Sequence, residues 1–475
     1  MVRRTLGLPV LLDLALASAP QAQTLKATVP TPLSPVNDAI VETATPALVV
    51  SPAGGRHVFA EFPHYYELQA AANLVVIETG RSDAPSSVNS YRVQTPLTPG
   101  SSSRWRSRAV FDGATGPWSV WETFTYRPEG KIFTTTDGVS FRIEVVATGL
   151  EVPLALGVLP EHRLLVTERP GRVRLVDSSG LRANPVLTLE DAFVAGEAGV
   201  LGLAVHPRFG ETGWVFIAYT AEPVPGTLVN QIVRYRLAGA QLVERVVLFD
   251  RALGDNLHDG GRLRFAPNGT LFLTMGDALD LSTPQDLASD NGKVLRLRED
   301  GTTPTDNPFS SPVFSWGHRN PQGLDWHPVT GELWATEHGS IGNDEVNLIV
   351  AGENYGWPLI EGAETRPGMV TPLLIFTPSV APCGASFYGG TAFPAFQNNL
   401  FFATLRGAHL HRVRVDPTGH RTVLDQERLL DGRFGRLRTV ITGPEGALYL
   451  LTNNRDGWGT PAPDDDHILR LVPLP

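Results

Sequence analysis

The sequence comprises 475 residues, which is too long for one ordinary hydrophobic core and leaves room for two or three domains. Its 39 basic and 49 acidic side chains give a net charge of −10, whereas a phosphate-binding surface needs the opposite sign, so the charge argues against a nucleic-acid partner. The 47 glycines and 39 prolines predict many turns and few long helices. Cys383 is the only cysteine, which excludes an intrachain disulfide and any cysteine-based zinc or iron–sulfur site.

The N-terminus is typical of an export signal. Arg3 and Arg4 precede an apolar run over residues 6–17, and small residues follow at 18–22. No other stretch approaches the roughly 18 consecutive apolar residues that a membrane-spanning helix needs, so we predict no transmembrane segment. These features predict a signal peptide over residues 1–23 and an exported protein, in the periplasm or outside the cell.

Residues 24–127 predict a small β-sandwich. Short strand-like runs recur along this segment, at residues 47–50, 65–70, 74–77, 103–111 and 122–126. In the run RWRSRAVF, arginines alternate with Trp105 and small residues, which is the period of a half-buried strand. We expect Trp105, Trp118 and Trp121 to pack in the core or along the strands rather than to stack on a sugar.

The layout of this segment resembles a bacterial fibronectin type III domain, on the motifs LSPVNDA, YYELQA, TPLTPG, RWRSRAVFDGATGPWSVW and ETFTY. Such a domain would allow contact with a surface or a polysaccharide. The proline and glycines that follow predict a linker over residues 128–140.

From residue 141 onward, one strand-like element recurs six times, at residues 164–167, 214–220, 271–274, 333–336, 400–404 and 448–452. The spacing is roughly 55 residues, slightly longer than a common propeller blade. Two packed sandwiches, the alternative, fit the sixfold repetition poorly. We therefore predict an all-β protein in which residues 141–475 form a six-bladed β-propeller after the sandwich, closed by pairing of residues 467–472 with 141–146.

One candidate site is a histidine beside a carboxylate. His258 lies in HDGGRLRF, next to two glycines, and Asp277 lies in TMGDA at the far end of the same predicted hairpin. A carboxylate that returned beside His258 would orient the imidazole and raise its basicity. Taken singly, each residue is more often a loop histidine or a turn-capping carboxylate.

Arginines supply a second group of candidates. Arg319 stands beside Asn320 in SWGHRNPQGLDWHP, and a guanidinium next to an amide suits an anionic ligand. Arg406 follows a predicted strand, and Arg436 and Arg438 share one strand face. Exposed arginines on strands are usually only solvated, but these lie at matching blade edges.

An acidic, glycine-rich loop is the third candidate. The run TEHGSIGNDEVNLIVAGENYGWP, residues 336–358, contains Asp344 and Glu345 among several glycines. Carboxylate and main-chain oxygens together suit a hard cation such as Ca²⁺. The alternative is an ordinary polar loop between blades.

Together these residues predict a pocket for a polyanionic, metal-chelating ligand. The motifs GVLGLAVHPRF, HDGGRLRFAPNG, GKVLRL, GHRNPQGLDWHP, EHGSIGNDEVNLI, NYGWP and SVAPCGASFYGG resemble the soluble pyrroloquinoline quinone (PQQ)-dependent aldose sugar dehydrogenases, within the glucose/sorbosone dehydrogenase family. The resemblance runs from about residue 150 to the C-terminus and implies a six-bladed propeller. It also implies PQQ and Ca²⁺ as cofactors, an aldose substrate oxidised to its lactone, and an external electron acceptor.

The resemblance implies a role for individual positions. His258 would be the base that removes the sugar hydroxyl proton, with Asp277 as its partner and Arg319 beside the quinone. The implied cofactor-binding positions are Glu197, His258, Arg319, Asn320, Ser379, Arg406, Arg436 and Arg438. The implied metal-binding positions are Gly339, Ser340, Glu345 and Tyr355, the first two through their carbonyl oxygens.

Two positions depart from the family pattern. Ser379 stands where threonine is found, and Glu197 stands where one branch has glutamine. A carboxylate next to a tricarboxylate repels it unless the carboxylate is protonated or paired with an arginine. Glu197 therefore bears on whether PQQ is retained and in which pose, although the cationic side chains still outnumber it.

Two other functions remain open from the sequence. A calcium-dependent lactonase on the same architecture would want a cage of carboxylates and asparagines in the channel, and the arginines count against it. A non-catalytic binding propeller is the other alternative, because fold alone does not settle function. The joint presence of His258, Asp277 and the arginines favours the enzyme.

Overall fold

The computed structural model of the protein describes residues 25–55, 62–82, 89–127, 131–416, 421–443, 445–462 and 464–474. The predicted signal peptide over 1–23 lies outside the described residues. The chain divides into two compact units, one ending at Lys131 and the other beginning at Ile132. In the part of the chain described here, every helix is too short or too polar to cross a membrane.

The first unit is a β-sandwich, as predicted. Its strands are β1 (Pro32–Ser34), β2 (Ala39–Val41), β3 (Ala47–Val50), β4 (His64–Ala70), β5 (Val76–Ser82), β6 (Asn89–Arg92), β7 (Ser102–Phe111), β8 (Ala114–Thr115) and β9 (Glu122–Tyr126). One sheet has the order β1-β3-β6, and the other has the order β2-β9-β7-β4-β5 with β8 paired to β7. Leu48 and Val50 of the first sheet share a core with Tyr66, Trp105 and Phe124 of the second. The likeness to fibronectin type III stays a prediction.

The predicted alternation along β7 is confirmed. Trp105 and the small residues on its side of the strand are buried, and the arginines lie on the other face. The Arg106 guanidinium carbon lies 4.0 Å from the ring centre of Trp118 and 4.3 Å from that of Trp121. Trp118 and Trp121 therefore pack along the strand, as predicted. We name this face, formed by Arg104, Arg106, Arg108, Trp118 and Trp121, the arginine ladder.

The second unit consists almost entirely of strands. Among its described residues lie one α-helix, α1 (Phe209–Thr212), and one 3-10 helix (Pro394–Phe396). Its strands are β10 (Ile132–Thr134), β11 (Ser140–Ala147), β12 (Pro153–Val158), β13 (Leu164–Glu168), β14 (Arg172–Asp177), β15 (Gly180–Leu181), β16 (Leu187–Thr188), β17 (Val200–Val205), β18 (Trp214–Val224), β19 (Thr227–Ala238), β20 (Gln241–Leu253), β21 (Leu263–Phe265), β22 (Leu271–Met275), β23 (Lys293–Leu297), β24 (Val313–Trp316), β25 (Pro321–Trp326), β26 (Leu333–Glu337), β27 (Asp344–Ile349), β28 (Leu374–Phe376), β29 (Pro382–Phe387), β30 (Leu400–Thr404), β31 (Leu410–Val415), β32 (Val423–Leu429), β33 (Leu437–Thr442), β34 (Leu448–Thr452) and β35 (Ile468–Pro473).

Within the described residues these strands form six sheets of at least four strands each, of which five are meanders of consecutive strands and the sixth combines the last three strands with β11 and β10. The first strands of the sheets, β12, β17, β21, β25, β29 and β33, contact one another in that order, and β33 contacts β12. The sheets therefore close a ring around a central channel, and the predicted all-β propeller is confirmed. The pairing that joins the two ends of the chain is also present, because β35 pairs with β11 in the sheet of order β10-β11-β35-β34-β33.

The predicted linker over 128–140 contains a strand of the second unit. β10 pairs with β11, so the propeller unit begins at Ile132 rather than at residue 141. Both oxygens of Asp137, in the turn that follows β10, accept hydrogen bonds at 2.9 Å from the buried Arg412. Proline and glycine content signals neither this local hairpin nor the contact between Asp137 and the distant Arg412.

The element that recurs in the sequence is the second strand of each sheet, namely β13, β18, β22, β26, β30 and β34. Each copy carries a fully buried threonine, at Thr167, Thr220, Thr274, Thr336, Thr404 and Thr452. The Thr274 hydroxyl, for example, accepts a hydrogen bond of 2.9 Å from the N–H of Arg262, just before β21. In an antiparallel meander, the start of the first strand lies beside the end of the second. Residues before each first strand and after each second strand therefore gather at one rim of the ring, which we name the site rim.

Candidate active site

His258 and Asp277 meet at the site rim, as predicted. His258 lies before β21 and Asp277 lies just after β22, and Nδ1 of the imidazole is 2.8 Å from Oδ1 of the carboxylate. His258 has a φ of 61°, in the left-handed region that only a constrained loop forces on a non-glycine residue. The backbone at position 276 lies so close to His258 that this position requires glycine, because a Cβ there would lie 1.8 Å from the His258 carbonyl oxygen.

The surroundings of Asp277 fix the tautomer of His258. Asp277 is buried, and its Oδ2 accepts a hydrogen bond of 2.8 Å from Nε1 of Trp357. A carboxylate held in this way accepts from the imidazole, so Nδ1 of His258 carries the proton and Nε2 is left as the basic nitrogen. Within the described residues, Nε2 has no hydrogen-bond partner. The pair therefore has the geometry of a general base and the group that orients it.

Glu197 joins this pair to the next sheet. Its Oε2 accepts hydrogen bonds from the His258 N–H and from Nδ2 of Asn320, both at 3.2 Å. Burial raises the pKa of Glu197, but the positive charges of His338 and Arg438 and the bond from His258 outweigh burial, so the pKa is lowered. Glu197 is thus ionised and engaged with groups of the protein itself.

A cavity of about 400 Å³ opens beside Glu197. It is lined by Leu154, Arg169, Glu197, His338, Ala381, Leu405, Arg406, Arg436, Arg438, Asn453, Asp456 and Trp458. The lining contains four arginines against two carboxylates, so its charge is positive and suits an anion. We name it the arginine cavity. Its volume lies within the roughly 300–1,000 Å³ usual for small-molecule sites.

The arginines of this cavity are held in place and still have donors to spare. Nε of Arg436 donates to Oδ2 of Asp456 at 2.7 Å, and Nη2 of Arg438 donates to Oε1 of Gln322 at 2.8 Å. The Nε atoms of Arg169 and Arg438 are buried without a hydrogen-bond partner. Burial also lowers the pKa of Arg169. A carboxylate-bearing ligand in the cavity would satisfy such donors, so these residues fit PQQ.

The loop between β26 and β27 presents two free carbonyl oxygens. The Ser340 N–H and hydroxyl donate to Glu361 at 2.6 and 2.8 Å, and the Gly339 N–H donates to Asp344 at 3.0 Å. In the part of the chain that the structure describes, nothing donates to the carbonyl oxygens of Gly339 and Ser340. Main-chain carbonyls are ordinary Ca²⁺ ligands, so this loop fits the cation that the family resemblance implies.

Glu345 and Tyr355 lie in a separate small crevice that also contains Glu337 and Glu361. Burial and the negative charge of Glu337 raise the pKa of Glu345 to about 8. The Tyr355 hydroxyl accepts a hydrogen bond of 2.9 Å from Val350 and donates to a main-chain carbonyl, so it is not free to bind a cation. Across the described ranges, no three His, Cys, Asp or Glu side chains cluster as metal ligands. Glutamate carboxylates line this crevice, and the assignment of Glu345 and Tyr355 to a cation stays a prediction.

Three other predicted positions adjoin the arginine cavity without lining it. Arg319 lies in the crevice of Glu337, its guanidinium carbon 5.3 Å from the ring centre of Trp357. Asn320 is fully buried beneath Glu197. The Ser379 hydroxyl donates to Asp344 at 2.7 Å and thereby shapes the loop before β29. The structure thus groups Glu197, Arg406, Arg436 and Arg438 around the cavity. Arg319, Asn320 and Ser379 lie at its border.

Sequence reasoning missed Arg169 and His338, which line the cavity. A signal was present in the repeat itself. Arg169, His338 and Arg406 each stand two residues after the buried threonine of their second strand, in LLVTER, LWATEH and LFFATLR. If the repeated element is extended two residues beyond its threonine, the sequence predicts both residues at the site rim.

Comparison with known proteins agrees with this arrangement. The family model Glucose / Sorbosone dehydrogenase matches residues 150–460. The aldose sugar dehydrogenase YliI of Escherichia coli (strain K12) is 32% identical over 339 residues, covering 66% of this chain and 91% of the relative. Quinoprotein glucose dehydrogenase B of Acinetobacter calcoaceticus is 28% identical over 433 residues, covering 71% of this chain and 90% of the relative.

A solved structure agrees as well. The PQQ-bound form of the aldose sugar dehydrogenase of Streptomyces coelicolor matches with a TM-score of 0.63 and 34% identity, covering 70% of this chain and 98% of that one. The fold and the site rim define a propeller of the sugar dehydrogenase class. The chain belongs to the glucose / sorbosone dehydrogenase family, and the predicted family is confirmed.

Proposed function

We propose that this protein oxidises an aldose sugar to its lactone, with PQQ and Ca²⁺ as cofactors and His258 as the general base. The observation that carries the proposal is the position of the His258–Asp277 pair beside a cavity lined by four arginines. An external electron acceptor, and a surface or polysaccharide contact through the first unit, stay predictions.

The arginine cavity supports PQQ as the bound anion. Arg406, Arg436 and Arg438 would hold its carboxylates, and the buried Nε of Arg169 would gain a partner. The carbonyl oxygens of Gly339 and Ser340 would hold Ca²⁺. When bound, PQQ supplies a two-electron acceptor for hydride and Ca²⁺ supplies a Lewis acid.

The residues of the chain would manage the proton. Nε2 of His258 would take the proton of the sugar C1 hydroxyl. C1 would also lose a hydride, which carries one proton and two electrons. The two losses together convert the C1 alcohol into the lactone carbonyl. Asp277 stabilises the imidazolium that results, and Trp357 holds Asp277 in place at 2.8 Å.

Glu197 is compatible with an anionic cofactor in this arrangement. Its charge is balanced by His338 and Arg438, and its Oε2 accepts from His258 and Asn320. The repulsion that the sequence predicts for an unpaired carboxylate is therefore reduced. We infer that Glu197 positions His258 and Asn320 through these hydrogen bonds and does not prevent PQQ from binding.

Reconstitution tests the proposal. The purified protein is loaded with PQQ and Ca²⁺ and assayed with aldoses and an artificial electron-accepting dye. We expect dye reduction that requires both additions and disappears in His258→Ala, whereas His162→Ala, which removes a side chain that is 72% exposed, keeps the activity. PQQ binding without oxidation of any aldose would overturn the assignment of substrate. Failure to bind PQQ would overturn the quinoprotein proposal in favour of a binding propeller.

A further inference from the structure

Among the described residues of the second unit, a single aromatic side chain is strongly exposed. Trp458 is 58% exposed, whereas the other tryptophans, tyrosines and phenylalanines of this unit are buried or half-buried. Large aromatic rings are mostly covered in folded proteins, so an exposed one requires a reason. Trp458 also lines the arginine cavity. Part of the cavity lining is therefore an indole that is also accessible to solvent.

The loop that carries Trp458 is anchored from within. Oδ1 of the buried Asp456 accepts hydrogen bonds from the N–H groups of Trp458 and Gly459, at 2.9 and 3.1 Å. Oδ2 of the same carboxylate accepts from Arg436, and Nη1 of Arg169 donates to the Asp456 carbonyl at 3.2 Å. One acidic residue thus fixes two cavity arginines and the backbone of Trp458. The indole is displayed on a rigid support rather than on a loose loop.

The cavity lining offers two kinds of contact, one to charged groups and one to apolar C–H groups. The arginines suit a charged ligand, whereas a sugar ring is neutral and presents C–H groups on its faces and hydroxyls at its edges. The other apolar lining residues, Leu154, Ala381 and Leu405, are aliphatic, and Leu154 and Leu405 are buried. Trp458 alone offers a flat apolar surface to solvent, and aromatic faces are suited to packing against C–H groups.

We propose that Trp458 is a substrate-contacting residue on which one C–H face of the aldose ring packs, and that it sets sugar specificity at the cavity mouth. This inference rests on the proposed function and names a residue for the sugar side of the same site. It extends the cofactor and proton-transfer roles of the neighbouring residues to recognition of the substrate.

Steady-state kinetics of three variants test the inference. We expect Trp458→Ala to lower kcat/KM for the preferred aldose roughly tenfold, mainly through a higher KM, because contact that is equal in ground state and transition state affects KM. Trp458→Phe should keep most of the affinity. Leu424→Ala, which removes a side chain of β32 that is 59% exposed, is the matched control and should change neither constant.

A second measurement reads sugar binding without turnover. In the PQQ- and Ca²⁺-loaded His258→Ala variant, saturation-transfer NMR should detect protein contact at the sugar C–H protons. The added Trp458→Ala substitution should weaken that signal while the Kd for PQQ stays within twofold. An unchanged KM and an unchanged NMR signal would overturn the inference alone, as would a weaker PQQ affinity without an effect on the sugar. If the wild-type protein oxidises no aldose, the proposed function and this inference fall together.

Discussion

Two segments of this protein carry arginines at alternate residues, and the structure gives them opposite surroundings. On β7 of the sandwich, Arg106 donates to Glu67 at 2.9 Å and lies between the rings of Trp118 and Trp121. At the start of β33 in the propeller, Arg438 donates to a glutamine and a cysteine, and it lines a cavity together with Arg169, Arg406 and Arg436.

The comparison separates arginines that hold a sheet together from arginines that are ready for a ligand. In the arginine ladder, the guanidinium groups lie against indole rings, and they donate hydrogen bonds to side-chain acceptors of the same sheet. The arginine cavity gathers four arginines around about 400 Å³ with two carboxylates in the lining. The same sequence alternation therefore has two uses, and the balance of partners decides between them.

The largest effect is expected from the site rim itself. Asp277→Asn removes the charge that orients His258 and stabilises its protonated form, so kcat should fall about 10²- to 10⁴-fold with little change in PQQ affinity. Rapid-mixing and steady-state kinetics on the reconstituted protein measure this. Glu67→Gln in the arginine ladder is the control and should leave kcat unchanged. A normal kcat in Asp277→Asn would contradict the assignment of the pair.

The next largest effect is expected when one arginine of the cavity is substituted and compared with one arginine of the ladder. Arg438→Ala should weaken PQQ binding about 10- to 100-fold, because it removes charged donors from a buried site, as measured by equilibrium titration of the cofactor. Arg106→Ala in the arginine ladder should leave the Kd for PQQ unchanged. Equal effects of the two substitutions would show that the cavity has no special part in anion binding.

A third prediction concerns a carboxylate near His258 whose hydrogen-bond partners, among the described residues, are uncharged groups. Asp259 accepts hydrogen bonds from Thr220 and Asn230, and burial raises its pKa to about 6, above the usual value near 4. The folded state therefore binds this proton more tightly than the unfolded state. Lowering the pH from 7 to 5 should increase the free energy of unfolding by about 1 to 2 kcal/mol through this group.

Chemical denaturation at several pH values, compared between the wild type and Asp259→Asn, measures that contribution. The difference in stability between the two proteins should change with pH in the stated direction over the range 7 to 5. A pH-independent difference would mean that Asp259 does not titrate in this range.

The smallest effect belongs to the arginine ladder. Arg106→Ala should lower the free energy of unfolding of the first unit by about 1 kcal/mol or less, since it removes two cation–π contacts and one partly exposed ion pair. Denaturation followed by tryptophan fluorescence measures this change. If Arg106→Ala left stability unchanged but altered sugar oxidation, the assignment of the ladder to packing would be wrong.

Much of this arrangement could be predicted from the sequence because it repeats. The buried threonine and the apolar residues before it identify the second strand of each sheet, and the hairpin from His258 to Asp277 follows from that register. The alternation along β7 is likewise local. Each of these features depends on residues close together in the chain.

The features that escaped prediction depend on contacts between distant residues. β10 is an exception, because it lies in the predicted linker and pairs with the neighbouring β11, and proline and glycine content does not signal this local hairpin. Arg169 and His338 lie in different sheets, and only ring closure brings them to one cavity. The compensation of Glu197 by His338 and Arg438 has the same origin. The sequence shows which groups are present, whereas their partners require the fold.

In the proposed reaction, the arginine cavity holds a quinone that accepts hydride from a sugar while His258 accepts the proton. Anaerobic stopped-flow mixing of the PQQ- and Ca²⁺-loaded protein with an aldose tests it most directly, with the quinone absorbance as the signal. We expect loss of the oxidised quinone spectrum, one equivalent per protein, and a bound but unreduced quinone in His258→Ala. A wild-type quinone that stays oxidised in excess aldose, or equal reduction in both proteins, would contradict it.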